Sequence, residues 1–315
     1  MEALLAGDKR AAAKLISLIE DDEPEAAEAL ARIFPHTGRA HVIGFTGAPG
    51  VGKSSLINRL VRLFRARGKK VGVVAVDPTS PYSGGAVLGD RIRMADTGVD
   101  PGVFIRSMAT RGHAGGLALA TFDAVRVLDA MGMDVVLVET VGAGQSEVEI
   151  ASRAHTTVVV EMPLAGDAVQ TMKAGILEIG DVYVVNKVDL ADADTLVANL
   201  RFQIEARDGW TPPIIRTSAL EDERIDELAD TLEKHAAFLK MSGNWRKREL
   251  DRARQEILEN ARRLLAQRVR DPGAAGSSFE TLAQQVVARK LDPQSAAVRF
   301  LQEATRKVPR RRARS

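Results

Sequence analysis

The fold is indicated by one stretch of eight residues, Gly47-Ala48-Pro49-Gly50-Val51-Gly52-Lys53-Ser54. It fits the pattern GxxxxGK[ST] in full, follows the apolar run at residues 42–45, and opens a helical pattern with leucine and phenylalanine on one face. Glycine lets the backbone turn tightly, so that consecutive N–H groups and the positive end of the helix face phosphate oxygens. The stretch therefore predicts a phosphate-binding loop (P-loop), to which we also assign the adjoining Ser55.

The end of this loop carries a lysine and a hydroxyl with separate predicted roles. Lys53 would reach the β and γ phosphates of a bound nucleotide, and the Ser54 hydroxyl would bind Mg²⁺. Magnesium prefers oxygen ligands, and three acids lie at predicted strand ends or in a loop after one, namely Asp77, Glu139 and Asp90. The alternative for Asp77 and Glu139 is a solvated strand-end carboxylate, and the alternative for Asp90 is a helix cap.

Short β-branched runs alternate with helical segments from residue 41 onward. This alternation is typical of βαβ units, and nearly continuous apolar runs indicate strands that are covered on both faces. The predicted strands are His41–Thr46, Lys70–Val76, Val103–Met108, Asp134–Glu139, Thr156–Glu161, Val182–Asn186 and Ile214–Thr217. The predicted fold class is α/β, a P-loop NTPase with a mostly parallel sheet flanked by helices, N-terminal helices and a C-terminal helical extension.

Composition divides the chain into four predicted segments. These are an N-terminal helical segment (1–40), a P-loop domain (41–240), a helical extension (241–305) and a basic disordered tail (306–315). In the extension, Leu250, Ile257 and Leu264 recur at intervals of seven residues, so this stripe must be buried against something. The extension is either a cover for its own domain or a dimerisation arm. The tail could bind nucleic acid, but it has no aromatic side chains, which favours a solvated terminus.

Composition also excludes several classes of site. The 315-residue chain has no cysteine, which rules out disulfides, thiolate zinc sites and cysteine nucleophiles. Its net charge is +2, its hydrophobic share is 45%, and it shows neither a secretory apolar run nor a stretch of membrane-spanning length. We therefore expect a cytoplasmic protein that binds neither membrane nor nucleic acid.

A second motif predicts the base of the nucleotide. Asn186-Lys187-Val188-Asp189 follows an apolar strand and fits the guanine signature NKxD. The Asp189 carboxylate can accept from both the ring N1–H and the exocyclic amine of guanine, a pair of donors that adenine does not offer. Asn186 would hold the base and its loop, and the Lys187 stem would pack on the purine. After the last strand, a second short motif would support the guanine carbonyl through its backbone: Ser218-Ala219-Leu220.

The stretch Glu139-Thr140-Val141-Gly142 stands where most GTPases have DxxG. The Gly142 N–H would sense the γ-phosphate and report hydrolysis by a backbone shift. Ras-type enzymes place a water-orienting glutamine directly after this glycine, whereas the first glutamine here is Gln145. We therefore predict slow intrinsic hydrolysis of GTP to GDP, completed by a partner or a rearrangement.

Several longer stretches resemble the MeaB/ArgK family of G-protein chaperones, to which methylmalonic aciduria type A proteins belong. They are GAPGVGKSSLINRL, VAVDPTSPYSGGAVLGDRIRM, ETVGAGQSE, MPLAGDAVQTMKAGILEIGD and NKVD, all between residues 42 and 218. The resemblance implies a SIMIBI-class GTPase that forms homodimers, binds methylmalonyl-CoA mutase, protects it, and gates loading and exchange of its adenosylcobalamin. Cobalamin adenosyltransferase is a further implied partner, and GTP/GDP with Mg²⁺ are the implied cofactors.

The same resemblance assigns roles to two more residues. Residues 163–170 would be an additional switch loop facing the mutase, with Asp167 and Lys173 as active residues. Lys173 would supply positive charge to the γ-phosphate in the closed state. The residues alone favour a helix cap at Asp167 and a solvated side chain at Lys173, and only the resemblance brings the active roles level with these alternatives.

Two other functions are compatible with a P-loop. A small-molecule kinase or transport-system ATPase would use the same loop, but NKVD and the Ser218 motif argue against adenine. A metallochaperone GTPase would need a metal-binding cluster, and the chain offers no cysteine and five dispersed histidines.

Overall fold

The computed structural model describes residues 1–77, 100–109, 116–140, 153–163, 178–190, 193–270 and 274–306. Within it the chain forms two compact units, Met1–Glu249 and Leu250–Ser315. The four segments derived from composition remain predictions, because this division follows contacts rather than composition.

All the predicted strands are present, and no strand end differs from its predicted position by more than one residue. The strands are β1 (His41–Thr46), β2 (Val71–Asp77), β3 (Val103–Ala109), β4 (Val135–Glu139), β5 (Thr156–Glu161), β6 (Val182–Asn186) and β7 (Ile214–Thr217). Most of their residues are buried, which explains the continuous β-branched runs in the sequence. The predicted strands are thus confirmed.

The strands form one sheet in the order β3-β2-β4-β1-β5-β6-β7, and every recorded pairing is parallel. Strand β1 lies in the middle, with Phe45 paired to Glu139 of β4 and Thr46 paired to Val159 of β5. The chain leaves β1 toward one edge of the sheet and later returns to build the other edge. The carboxyl end of β1 is therefore a topological switch point, where open α/β sheets bind their ligands.

Helices cover both faces of this sheet. The α-helices of the described residues are α1 (Glu2–Leu5), α2 (Lys9–Glu20), α3 (Pro24–Ile33), α4 (Lys53–Ala66), α5 (Gly116–Ala130), α6 (Asp194–Gln203), α7 (Ile225–Ser242), α8 (Asn244–Arg270), α9 (Ala274–Val287) and α10 (Pro293–Arg306), of which α9 and α10 lie wholly in the second unit. Buried side chains of α4 and α7 form one core with β1, β4 and β5, whereas α2, α3 and α5 share a second core on the opposite face. The predicted α/β class with a helix-flanked parallel sheet is confirmed.

One buried acid joins α5 to the segment that leads into β1. The carboxylate of Asp129 accepts from the backbone N–H groups of Gly38, Arg39 and Ala40 at 2.5, 3.2 and 3.0 Å. Asp129 is only 8% exposed, so its charge is compensated by these three donors. The entry to the central strand is therefore fixed by a side chain almost ninety residues later.

The beginning of α8 is anchored to the amino ends of β5 and β6. Arg248 donates from both terminal nitrogens to Asp181, at 2.8 and 2.7 Å, and the Asp181 carboxylate also accepts from the Thr157 N–H. The Trp245 ring stacks on His155 with centroids 3.8 Å apart. These contacts give His155 and Trp245 structural roles at the beginning of α8.

Two further histidines, the buried His235 and the half-buried His41, lie beside this anchor. The Thr156 hydroxyl is 2.7 Å from Nε2 of His41 and 2.8 Å from Nδ1 of His235. Burial lowers the pKa of His41 to about 3 and the pKa of His235 to about 4. Both rings are thus neutral at physiological pH, as structural histidines should be.

The second unit contains the rest of α8 with α9 and α10. Leu282, Ala296 and Phe300 form its small buried cluster, and the Phe279 and Phe300 rings meet edge to face at 5.4 Å. The predicted apolar stripe of α8 is exposed in the single chain, with Ile257 exposed to 71%. Among the described residues, none of the helices combines the length and apolar character that crossing a membrane requires.

Candidate nucleotide site

The P-loop follows β1 at the switch point of the sheet, and two of its glycines cannot be replaced. Gly47 and Gly52 have φ values of +142° and +96°, a region that side chains rarely adopt. A Cβ on Gly47 would overlap the carbonyl oxygen of Val160, and a Cβ on Gly52 would overlap the amide of Asn186. The loop thus lies directly against β5 on one side and against the end of β6 on the other.

Lys53 begins helix α4 and turns back over the loop. Its ammonium donates to the carbonyl oxygens of Gly47 at 2.7 Å and Ala48 at 3.1 Å, and the side chain is buried. A positive charge therefore lies within the loop whose backbone is predicted to carry phosphate. Val51 is also buried, whereas Pro49 and Ser55 are exposed.

Ser54 and Glu139 meet beside the P-loop. The Ser54 hydroxyl donates to Oε1 of Glu139 at 2.5 Å, and Glu139 is buried at the end of β4. A hydroxyl and a carboxylate side by side are the hard oxygen donors that Mg²⁺ prefers. Asp77 ends β2, the strand next to β4, with its backbone paired to Ala109 of β3. Ser54 and Glu139 are therefore two suitable ligands for a magnesium ion.

Asn186 connects the phosphate side of the site to the base side. Its Nδ2 donates to the Val51 carbonyl at 2.8 Å. Its Oδ1 accepts from the Thr217 hydroxyl at 3.1 Å and from the Ala219 N–H at 3.2 Å. One fully buried amide thus uses both of its ends to hold the P-loop and the loop after β7 together.

The remaining residues of the NKxD motif extend this connection. Lys187 has a φ of 62° and donates from Nζ to the Gly50 carbonyl at 2.6 Å, so its stem lies across the P-loop. Asp189 accepts at Oδ1 from the Ser218 hydroxyl at 2.5 Å. The same hydroxyl accepts from the Glu221 N–H at 3.2 Å. Asp189 is therefore oriented by a serine that is itself fixed to the next turn.

Two charged residues at this site were missed by sequence reasoning. Arg59 of α4 donates to the carbonyl oxygens of Ala219 and Leu220, both at 3.0 Å. Nothing in the local pattern of α4 separates Arg59 from the other basic residues of that helix, so no sequence signal was available. The contact can be found only in three dimensions.

Glu161 is the second omission. It ends β5, on the opposite side of β1 from Glu139, and follows Val160, whose carbonyl contacts Gly47. Burial raises the pKa of the Glu161 carboxyl to about 7, although the charge of Lys53 opposes the shift. A signal did exist here, because an acid at the end of an apolar strand is the same pattern that singled out Glu139.

Several predicted site residues lie outside the described part of the chain. They are Asp90, Gly142, Gln145, Asp167 and Lys173. The residues that the structure brings together are those of the P-loop, the NKxD motif, the Ser218 motif and Glu139. This arrangement can hold a phosphate chain and a base at the same time, joined through Asn186.

Comparison with known proteins points to one family. The model of the family described as methylmalonyl Co-A mutase-associated GTPase MeaB matches residues 12–274. A Pyrococcus abyssi protein named as a GTPase is 47% identical over 96% of this chain and 95% of its own length. A Caenorhabditis elegans mitochondrial protein, named a methylmalonic aciduria type A homolog, is 32% identical over 81% of this chain and 69% of its own.

A solved structure agrees with the fold. The crystal structure of an LAO/AO transport system kinase has a TM-score of 0.69 to this chain at 26% sequence identity, and 96% of each chain is covered. The family match spans most of the chain, including β1 to β7, the P-loop and the NKxD motif. The chain therefore belongs to the MeaB family of methylmalonyl-CoA mutase-associated GTPases.

Proposed function

We propose that this protein binds and hydrolyses GTP, and that its nucleotide state controls an association with methylmalonyl-CoA mutase. The observation that carries the nucleotide part is the double role of Asn186, which holds the P-loop through Val51 and the base loop through Ala219. A purine nucleotide would bind with its phosphates at the P-loop and its base at the loop after β7. Asn186 would then hold both parts of its binding site together. The mutase part rests on membership of a family described by that association.

The roles of the individual residues follow from their positions. Lys53 would exchange its bonds to the Gly47 and Ala48 carbonyls for bonds to phosphate oxygens, and backbone N–H groups of the P-loop would bind the same phosphates. Ser54, Glu139 and Asp77, with Asp90, would hold Mg²⁺, which neutralises charge on the phosphate oxygens. Asp189 would accept from the N1–H and the amine of guanine.

We propose slow hydrolysis by the isolated protein. The Gly142 N–H would sense the γ-phosphate, and Gln145 would position the attacking water only after a rearrangement. Asp167 and Lys173 would complete the site when the partner binds. The partner would be methylmalonyl-CoA mutase. The GTPase would protect this enzyme and would gate the loading and exchange of its adenosylcobalamin. Cobalamin adenosyltransferase is a second proposed partner, and the cytoplasm is the proposed location.

A homodimer forms part of the proposal. Leu250, Ile257 and Leu264 are exposed on α8 at intervals of seven residues, which is the spacing of a helix that pairs along one stripe. A second copy would cover this stripe. Sedimentation of the parent and of an Ile257→Glu variant tests the idea, since a dimer should become a monomer, and an unchanged mass would contradict it.

The nucleotide proposal is tested by titration with GDP and ADP in the presence of magnesium. The parent should prefer GDP, and Asp189→Asn should lose at least about tenfold in GDP affinity, because the mutant amide offers a donor where guanine needs an acceptor. Asp226→Asn, an exposed acid on α7, is the matched control and should bind as the parent does. Equal affinities for GDP and ADP would refute guanine specificity.

The mutase proposal needs a second measurement. The purified protein is mixed with methylmalonyl-CoA mutase in GDP or in a non-hydrolysable GTP analogue, and complex formation and single-turnover hydrolysis are measured. We expect nucleotide-dependent binding and faster hydrolysis with the mutase than without it. Fast hydrolysis by the protein alone, or no complex in either nucleotide, would contradict the proposal.

One other function has a specific observation in its favour. The similar solved structure is titled a transport system kinase. A kinase would transfer the γ-phosphoryl group to an acceptor molecule, whereas a GTPase releases it as inorganic phosphate. Following labelled γ-phosphate from GTP and from ATP distinguishes the two, and release as inorganic phosphate from GTP alone supports the first proposal.

A further inference from the structure

Arg59 links the helix of the phosphate site to the loop of the base site. It lies six residues after Lys53 on α4, and its side chain is 29% exposed. Nε donates to the Ala219 carbonyl and Nη2 donates to the Leu220 carbonyl, each at 3.0 Å. A planar guanidinium that binds two consecutive carbonyls fixes the orientation of both peptide groups.

The orientation of these peptides determines where the loop can donate. In a trans peptide the C=O and the following N–H point in opposite directions. Holding the Ala219 carbonyl on α4 therefore directs the Leu220 N–H to the other side of the loop. Oδ1 of Asn186 accepts from the Ala219 N–H at 3.2 Å. The loop is therefore held by Arg59 and by the NKxD motif.

The tip of the loop is the part that core packing does not hold. Ser218 and Glu223 exchange backbone hydrogen bonds at 3.3 and 2.9 Å, which closes a short turn. Within that turn Asp222 has a φ of 61° and lies 3.6 Å from Nη1 of Arg59. Since Leu220 at the tip is 73% exposed, core packing cannot hold the tip in place. The guanidinium supplies the constraint that packing does not.

We propose that Arg59 is a positioning residue for guanine recognition, which by holding the Ala219 carbonyl aims the Leu220 N–H at the guanine O6. The inference rests on the proposed function, since it refines how the same site selects its base. It also means that α4 serves both ends of the nucleotide: its first turn faces the phosphates and its second turn sets the base loop.

The test compares three nucleotides that differ at single positions of the base. GDP, 6-thio-GDP and IDP are titrated against the parent and Arg59→Ala. Sulfur at position 6 is a poor acceptor, so 6-thio-GDP reports the contact to O6, whereas IDP lacks the amine that Asp189 reads. The parent should bind GDP about tenfold tighter than 6-thio-GDP. In Arg59→Ala the ratio of the affinities for GDP and 6-thio-GDP should fall to near one. The ratio of the affinities for GDP and IDP should stay as in the parent.

Two variants separate positioning from charge and from folding. Arg59→Lys keeps the charge near Asp222 but lacks the planar guanidinium. It should therefore also lose most of the preference for GDP over 6-thio-GDP. Arg62→Ala removes an exposed arginine one turn further along α4 and should keep every ratio. The inference would be overturned if Arg59→Ala kept the parent's preference for GDP over 6-thio-GDP, or if it lost affinity for all three nucleotides by the same factor. A parent without preference for GDP over ADP would instead refute the proposed function.

Discussion

The hydroxyl of Ser54 donates to Oε1 of Glu139 at 2.5 Å, which joins the first turn of α4 to the end of β4. The contact crosses two elements separated by more than eighty residues of sequence, so it depends on the parallel pairing of β1 with β4. It also places two of the four proposed magnesium ligands next to each other. A metal ion at this point would bind to an arrangement that already exists.

Glu139→Gln should therefore weaken the effect of magnesium on nucleotide binding. The amide can still accept from Ser54, but it carries no charge to attract a divalent cation. We expect GDP affinity to fall about 10- to 100-fold with magnesium and less than about threefold with EDTA, as measured by calorimetry. Glu25→Gln, an exposed acid on α3, is the control. An equal loss with and without magnesium would contradict the assignment.

Glu161→Gln should change the pH dependence of stability. Because the pKa of Glu161 is raised from 4.5 to about 7 in the folded protein, the folded state holds the proton more tightly than the unfolded state. The stabilising contribution is present below the unfolded pKa and is lost as pH rises through about 7. Above that pH the variant should be more stable than the parent, by on the order of 1–3 kcal/mol.

The measurement is denaturant unfolding of both proteins at a series of pH values. Stability of the variant relative to the parent should rise between about pH 5 and pH 8 and then level off. Glu205→Gln, which alters an exposed acid after α6, should show no such rise. A constant difference across the series would mean that folding does not raise the pKa of Glu161.

Asp129→Ala should destabilise the protein without changing its nucleotide affinity. The substitution leaves three N–H groups at residues 38–40 without their carboxylate acceptor, at a cost of about 3 kcal/mol in the free energy of unfolding. These groups precede β1, whereas the P-loop follows it. Asp129→Asn keeps one acceptor oxygen and should lose less. A loss of GDP affinity with unchanged stability would contradict this reading.

Arg248→Met should cost about 2–4 kcal/mol, because it leaves the buried Asp181 carboxylate without its cationic partner. Lys247→Met is the matched control on the same helix, since its ion pair with Asp208 is exposed and should contribute less than about 1 kcal/mol. Adding Asp181→Asn to Arg248→Met should recover part of the loss. Chemical denaturation of all four proteins measures these differences, and equal losses from Arg248 and Lys247 would argue against the anchor.

Much of the fold could be predicted because its information is local. Each strand is a short apolar run, so β1, β5, β6 and β7 end where their patterns end. The P-loop and NKxD motifs are contiguous as well, and their positions after β1 and β6 follow from the strands. Sheet order was not predicted, because it depends on which strands pair, and pairing partners such as His41 and Val135 are far apart in sequence.

The contacts between motifs could not be predicted for the same reason. The bond from Arg59 to Ala219 joins residues 160 positions apart, and nothing in the sequence of α4 identifies that arginine. The raised pKa of Glu161 reflects burial, which a sequence does not report directly. Motif residues are recognised from sequence, whereas the residues that position them are recognised only from the folded chain.

The central place of β1 has a consequence for synthesis of the protein. Both neighbours of β1 in the sheet come much later in the chain, since its residues pair with β4 from Val135 and with β5 from Thr156. As the chain leaves the ribosome, β1 must therefore wait without a partner while about a hundred further residues are made. The P-loop lies against the carbonyl of Val160 in β5 and cannot take its shape before β5 has been made. A nascent chain should therefore bind nucleotide only after β5 has emerged.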